Sequence, residues 1–138
     1  MKTRTRVVLN ILFLLLLLLV SLTGYAHEEQ HEHGPHRHLK YAKIKNPVAK
    51  TEKSIAQGRR LYEQHCIACH GKSGKGGIGP HLTGPVLMHG SSDGEMFHVI
   101  TAGVAGTAMK GFKKELTEEM RWHLVNYITS LNKNEIDK

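Results

Sequence analysis

Two cysteines and a histidine near the middle of the chain are the feature that most constrains its fold. Cys66 and Cys69 are separated by two residues, and His70 follows directly. This spacing is typical of covalent haem attachment, in which each thiol adds to one vinyl group and the histidine ligates the iron. Residues three and four apart share one face of a helical turn, so the three side chains can point at one object. The motif therefore predicts one covalently bound haem c.

Two other kinds of site also use a Cys-x-x-Cys pair. A structural zinc site needs four ligands, usually from a second Cys or His pair, and the sequence contains only two cysteines. A thioredoxin-like dithiol needs a βαβ context, and the flanking sequence lacks the alternation of apolar and polar residues typical of strands. Haem attachment is the stronger interpretation.

Residues 1–26 have the pattern of a signal peptide. Lys2, Arg4 and Arg6 precede an apolar run over residues 11–22, and Ala26 provides a small residue at the cleavage position. The pattern predicts cleavage after Ala26 and a periplasmic or extracytoplasmic location, with an uncleaved inner-membrane anchor as the alternative. The leader carries three basic residues and no acid, so its removal lowers the formal net charge from +7 to +4. The remaining basic residues are not clustered, so nucleic-acid binding is not indicated.

A histidine-rich segment follows the leader. Residues 27–38 contain almost no apolar side chain, and the irregular sequence continues to about Pro47, which predicts a disordered linker over residues 27–50. Imidazoles are good ligands for Zn, Cu and Ni, and the Irving–Williams order favours Cu(II). A solvated linker without a metal-binding role is the alternative. The candidate metal ligands are His27, His31, His33, His36 and His38.

The folded domain is predicted to begin and end with helices. Ser54-Ile55-Ala56-Gln57 has the capping-box pattern, which predicts the start of a helix that leads into the cysteine motif. Thr117 is the predicted N-cap of the last helix, which is expected to end at Lys133 and Asn134. The domain therefore spans residues 51–133, with a tail over 134–138. The predicted core face of the last helix contains Met120, Leu124, Tyr127, Ile128 and Leu131.

The stretch between these helices is rich in glycine. Eleven of the fourteen glycines lie between Gly71 and Gly111, which predicts loops wrapped around a cofactor. One short helix interrupts them, with a capping box at Ser92 and Glu95 and a stop at Gly103.

A second iron ligand is expected in this glycine-rich stretch. Met109 is favoured, because the small residues around it let the backbone approach a flat ring. Met88 and His89 lie in the same stretch and remain alternatives. Met96 and Met120 are interpreted as packing residues of helices.

The chain from about Asn46 to Asn132 resembles the class I c-type cytochromes, which are small monohaem electron carriers. The resemblance depends on the cysteine motif and on residues at its two sides, namely Gly58, Tyr62, Gly71, Gly79, Pro80, Gly106, Thr107, Ala108, Met109, Phe112, Trp122, Leu124, Tyr127 and Ile128. It implies an all-α cytochrome c-like fold of three to four helices wrapped around one haem. The histidine-rich segment is a departure from the family pattern.

The resemblance also implies roles for single residues. Cys66 and Cys69 would form the thioethers, and His70 and Met109 would be the axial iron ligands. The Pro80 carbonyl would accept a hydrogen bond from the other nitrogen of the His70 imidazole. It implies as well that the helix at Gly58 crosses the last helix near Leu124 and Tyr127.

The function expected from these residues is single-electron transfer by an exported, monomeric carrier that is not an enzyme. Its partners would be redox proteins, with membrane contact only through an uncleaved leader. Two alternatives remain. One is a haem sensor or peroxidase-like protein with an open sixth iron position, and the other is a metal-handling protein that uses the histidine-rich segment.

Overall fold

The computed structural model describes residues 37–136, and their side chains as far as residue 132. The predicted leader and the histidines before residue 37 lie outside this range. Within it, no helix is long and apolar enough to cross a membrane. A short 3-10 helix at Leu39–Tyr41 is followed by four α-helices, which are α1 (Glu52–His65), α2 (Ile67–His70), α3 (Asp93–Ala102) and α4 (Glu118–Ile136). The described residues form no strand, and their single β-bridge joins Gly103 and Lys110.

The most extensive contact between helices joins α1 to α4. Gly58 makes this crossing possible, because a Cβ at this position would lie 2.0 Å from the His123 carbonyl oxygen and 2.7 Å from the Tyr127 Cβ. The ring centres of Tyr62 and Tyr127 are 5.2 Å apart in the same interface. The close approach implied at Gly58 by the family resemblance is therefore confirmed.

The core lies between α1, α3 and α4. Trp122 stacks on Phe97 with ring centres 3.8 Å apart, and this pair fills the α3–α4 contact. On α4, Leu124 and Val125 are fully buried. Met120 was predicted to belong to this core face, but it is 37% exposed, since it lies in the first turn of α4, ahead of His123 and Tyr127 where α1 crosses. Met96 is buried in α3, so the packing role predicted for it is confirmed.

The capping residues explain where the helices begin. Ser92 and Glu95 form the predicted capping box of α3, and Gly103 ends that helix with a φ of 74°. The Thr117 Oγ1 accepts from the Met120 amide at 3.2 Å, as expected for an N-cap. The prediction for α1 was wrong by one turn. Its N-cap is Thr51, and the predicted capping residue Ser54 is a buried residue inside the helix.

Ser54 is buried because it belongs to a polar network between α1 and α4. The Asn126 Nδ2 donates to the Ser54 Oγ at 2.8 Å, and a second hydrogen bond joins the Ser54 Oγ to the His123 Nδ1 at 2.7 Å. Asn46 extends the network from outside the helices, since its Nδ2 donates to the Asn126 Oδ1 at 2.9 Å. These bonds satisfy buried polar groups that would otherwise destabilise the core.

Residues 37–50, which we call the N-terminal strap, pack on α3 and α4. Arg37 makes two hydrogen bonds of 3.1 Å with the Glu95 carboxylate on α3. Asn46 reaches α4 through the Trp122 carbonyl oxygen at 3.0 Å. The sequence predicts a disordered linker here, whereas the structure shows an ordered strap. The polar partners that hold it lie 58 to 80 positions away in the sequence, so no local pattern indicates them. At the other end, α4 continues to Ile136, beyond the predicted stop at Lys133 and Asn134.

Candidate functional site

The cysteine motif forms a sharp helical turn of its own. α1 ends at Cys66, where the backbone departs from helical geometry with a φ of −118°, and α2 carries Cys69 and His70. The His70 amide donates to the Cys66 carbonyl oxygen at 2.9 Å, which closes the turn. Gly71 stops it with a φ of 74°, a conformation that favours glycine. Both thiols are free and partly exposed, so they remain available for covalent chemistry.

The His70 imidazole is buried and held in one orientation. Its Nδ1 lies 2.8 Å from the Pro80 carbonyl oxygen. Because a carbonyl oxygen can only accept, the Nδ1 carries the hydrogen, and the Nε2 keeps a lone pair that can bind a metal ion. Gly79 fits against the ring, since a Cβ there would lie 3.0 Å from the His70 Cε1. The glycine before Pro80 is therefore required for the imidazole to occupy this position.

The glycine-rich loop folds back over the motif through backbone hydrogen bonds. The Gly76 amide donates to the His70 carbonyl oxygen at 3.0 Å, and the Gly79 amide donates to the Cys69 carbonyl oxygen at 2.9 Å. Gly76 has a φ of 92°, which side chains with a Cβ rarely adopt. The loop thus satisfies the carbonyl groups at the end of α2 and brings Pro80 to the imidazole.

Tyr62 supports the cysteine turn through a hydrogen bond that sequence reasoning did not predict. Its ring is fully buried, and its hydroxyl donates to the Gly71 carbonyl oxygen at 2.8 Å. Burial raises the pKa of the Tyr62 phenol to about 12. A tyrosine nine residues before a glycine gives no local signal of such a bond, because the contact joins the middle of α1 to the turn after α2.

Burial also raises the pKa of the Cys66 thiol to about 11, with the neighbouring Cys69 contributing in the same direction. Among the described residues, no group of three or more His, Cys, Asp or Glu side chains is placed to hold a metal ion. The zinc interpretation of the motif therefore finds no support in this part of the chain.

Met109 lies in a tight loop between α3 and α4. The Val104 amide donates to the Met109 carbonyl oxygen at 2.9 Å, and the bridge between Gly103 and Lys110 closes the loop. The Met109 amide donates to the Thr107 Oγ1 at 3.1 Å. Its side chain is half-buried against the core. The loop therefore directs the thioether inward from a backbone fixed at both ends.

Met88, His89 and three further histidines have surroundings different from those of Met109. Met88 is exposed. The His81 Nδ1 lies 2.7 Å from the Thr83 carbonyl oxygen. The His98 ring stacks on Tyr41, with ring centres 3.9 Å apart, and His123 belongs to the network with Ser54. The His89 ring is 6.2 Å from that of His38 on the strap.

The donor set fits a covalently attached haem. Two free thiols lie in one turn with an imidazole whose Nε2 lone pair is available, and Gly79 lies against that imidazole, where a Cβ would crowd its ring. A dithiol oxidoreductase would not need the buried, oriented histidine.

Comparison with known proteins agrees with this fit. Residues 53–128 match the family model described as cytochrome C oxidase, cbb3-type, subunit III. The Cbb3-type cytochrome c oxidase subunit CcoP of Azospirillum sp. (strain B510) is 32% identical over 92 residues, which are 57% of this chain and 31% of that protein. The dihydro-heme d1 dehydrogenase of Pseudomonas aeruginosa is 38% identical over 73 residues, which are 53% of this chain and 15% of that protein. The chain thus spans less than a third of the length of either relative.

The structure of cytochrome CL from Methylophaga aminisulfidivorans MPT has the same fold, with a TM-score of 0.54 and 25% identity over 59% of this chain and 55% of that one. This likeness confirms the predicted all-α cytochrome c fold. Cytochromes of this class carry covalently bound haem c, which is the cofactor of this chain. The chain belongs to the family of cytochrome c oxidase, cbb3-type, subunit III, and its folded domain is a c-type cytochrome domain.

Proposed function

We propose that this protein is an exported carrier of single electrons whose haem c is bound through Cys66 and Cys69 and ligated by His70 and Met109. When bound, haem c supplies an iron that cycles between the ferric and ferrous states. The chain's own residues then fix the cofactor, exclude water from the iron and set the reduction potential.

The observation that carries this proposal is the hydrogen bond between the His70 Nδ1 and the Pro80 carbonyl oxygen. It fixes the tautomer in which the Nε2 can bind iron, and it increases the basicity of that nitrogen. The Tyr62 hydroxyl holds the Gly71 carbonyl oxygen and thereby fixes the end of the same turn. The imidazole is therefore oriented before any ligand binds, which lowers the conformational cost of iron ligation.

Met109 is proposed as the second axial ligand. Its thioether is on a loop that is anchored on both sides, whereas the side chain of Met88 is exposed. Thioether ligation stabilises ferrous iron and raises the reduction potential relative to two histidines. With both His70 and Met109 bound, the iron would have no open position, which favours a carrier over a haem enzyme or a gas sensor.

The optical spectrum of the haem-loaded protein tests this assignment. We expect the wild-type ferric protein to be low-spin and to show the weak band at the red end of the visible spectrum that reports an iron–methionine bond. Met109→Ala should lose that band and have a lower reduction potential, while the matched control Met88→Ala keeps both. A high-spin ferric iron in the wild type at neutral pH would instead support the sensor or peroxidase-like alternative.

Export and the choice of partners belong to the same proposal. The pattern of residues 1–26 supports delivery across the inner membrane, with or without a retained anchor. Redox proteins are the proposed partners, and the carrier is proposed to act as a monomer. The similarity to a dehydrogenase covers 15% of that relative, so we propose no catalytic residue for this chain.

A further inference from the structure

Thr107 closes the loop that carries Met109, which we call the methionine loop (residues 104–109). Its Oγ1 donates to the Val104 carbonyl oxygen at 2.8 Å and accepts from the Met109 amide at 3.1 Å. A hydroxyl group donates one hydrogen and accepts through its lone pairs, so both bonds can exist at once. One exposed side chain therefore joins the first residue of the loop to the last.

The Met109 backbone is held on both sides of its Cα atom. On the carbonyl side, its oxygen accepts from the Val104 amide at 2.9 Å. On the amide side, the acceptor is the Thr107 Oγ1. The two bonds together restrict the backbone dihedral angles of Met109 and thereby the direction in which its side chain leaves the backbone. Thr107 supplies the half of this arrangement that comes from a side chain.

Other bonds shape the loop without the Thr107 hydroxyl. The Thr107 amide donates to the Val104 carbonyl oxygen at 3.2 Å. After the loop, the Phe112 amide donates to the Ile100 carbonyl oxygen on α3 at 2.9 Å, and the Phe112 side chain is buried in the core. These bonds remain when the hydroxyl is removed. Its loss should therefore loosen Met109 without unfolding the loop.

A methionine side chain depends on such positioning more than a histidine does. Methionine is unbranched and has three rotatable bonds, so its sulfur can occupy many positions around one Cα atom. The His70 ring is fixed by a hydrogen bond to the Pro80 carbonyl oxygen. The Met109 side chain only packs against the core. Its backbone therefore determines how much conformational entropy is lost when the sulfur binds a metal ion.

We propose that Thr107 is the positioning residue for the second axial ligand. Its hydroxyl holds the Met109 backbone so that the thioether occupies the sixth iron position and keeps competing ligands out. This inference rests on the proposed ligation by Met109 and deepens it, because it assigns control of the sixth position to a residue that does not bind the iron. The cysteine attachment and His70 take no part in it.

Competition with imidazole tests this role in the haem-loaded ferric protein. Added imidazole displaces a bound thioether, and the loss of the iron–methionine band reports the displacement. One hydrogen bond changes such an equilibrium about two- to tenfold, so Thr107→Val should bind imidazole about two- to tenfold more tightly than the wild type. Thr107→Ser keeps the hydroxyl and should restore the wild-type affinity.

Thr101→Val is the matched control. It makes the same exchange of hydroxyl for methyl at the end of α3, where the Thr101 hydroxyl has no hydrogen-bond partner among the described residues. Its affinity for imidazole should equal that of the wild type. An equal increase in Thr101→Val and Thr107→Val would reduce the effect to general destabilisation and would overturn the inference.

The wild-type spectrum separates this inference from the function on which it rests. If the wild type shows the iron–methionine band but binds imidazole as tightly as Thr107→Val does, Thr107 is not a positioning residue and ligation by Met109 still stands. If the wild type lacks the band, both proposals are wrong. Tighter binding by Thr107→Val, with wild-type affinity in Thr107→Ser and Thr101→Val, is the result that supports the assignment.

Discussion

Glu95 is the one fully buried acidic side chain among the described residues. Burial alone would raise the pKa of this carboxyl, but hydrogen bonds from Arg37 and Ser92 outweigh that effect and lower it. A carboxyl with a lowered pKa in the folded state stabilises the fold above its unfolded pKa, and this contribution is lost as the pH falls through the folded value. The ion pair between Arg37 and Glu95, which attaches the strap to α3, therefore depends on pH through the ionisation of Glu95.

Replacement of Arg37 by Gln should make the protein less resistant to acid. Without the guanidinium, the pKa of Glu95 rises, so its stabilising ionisation is lost at a higher pH than in the wild type. Acid unfolding followed by circular dichroism measures this shift. Arg59→Gln removes an exposed partner of Glu63 and should leave the transition unchanged. Identical transitions for Arg37→Gln and the wild type would show that the ion pair does not hold the strap.

Tyr62→Phe tests the buried hydroxyl beside the cysteine motif. The substitution leaves the Gly71 carbonyl oxygen without its donor, and we expect a loss of about 1 kcal/mol in the free energy of unfolding. Because the pKa of Tyr62 is raised to about 12, its stabilising effect should be complete below pH 10 and should decline as the pH rises from 10 to 12. The wild type should lose stability over this interval and Tyr62→Phe should lose less. Parallel losses in denaturant titrations would contradict this role.

At the scale of the helices, sequence patterns correctly predicted the features that depend on contacts between residues close together in the sequence. The capping box of α3 depends on Ser92 and Glu95, three residues apart, and it forms as predicted. For α1, the capping-box pattern predicts Ser54 as the N-cap, whereas in the structure Thr51 caps the helix. Thr51 does so because the Ser54 hydroxyl is bonded to Asn126 and His123 across the interface. No local pattern contains that information.

The same distinction applies to the candidate site. The spacing of the cysteines and His70 predicted the turn that carries them. The Tyr62 bond could not be predicted, since it depends on how α1 packs against the turn after α2. Met120 likewise has the right spacing for the core, but its depth depends on where α1 crosses α4.

Gly58→Ala tests the crossing of α1 and α4. An alanine would favour an isolated helix by about 1 kcal/mol. Here its Cβ would meet the backbone of His123, which cannot move without displacing α4. We therefore expect a net loss of about 1–3 kcal/mol, as for other overpacked cores. Gln64→Ala on the exposed side of α1 is the control and should be nearly neutral. Thermal denaturation of both variants decides the sign, and a stabilised Gly58→Ala would exclude the close approach.

At the scale of the whole molecule, the strap is part of the folded domain. Asn46 bonds to Trp122 and Asn126 on α4, and Asn126 in turn bonds to the Val48 carbonyl oxygen at 3.1 Å. The folded unit therefore includes residues 37–50, which composition assigns to the linker. The strap thus covers one side of α3 and α4.

Deletion of the strap should destabilise the domain without changing its cofactor. A chain that begins at residue 51 leaves several buried polar groups of α4 without partners. Each lost hydrogen-bond partner costs about 1–3 kcal/mol unless a water molecule takes its place. Asn46→Ala should reproduce part of this loss, whereas Lys45→Ala, at an exposed position beside it, should not. Denaturant unfolding and the haem spectrum measure the two properties separately. An unchanged unfolding midpoint would show that the strap is dispensable.

The pairing of α1 with α4 also determines when the chain can fold. Its contacts join residues 69 positions apart, such as Ser54 and His123, and such non-local contacts make folding slow. During synthesis, α1 leaves the ribosome long before its partner exists, so we expect the core to stay open until nearly the whole chain is made. A chain that closes this late would suit the proposed export through a secretion pore, and it leaves the cysteine turn accessible until the final helix docks.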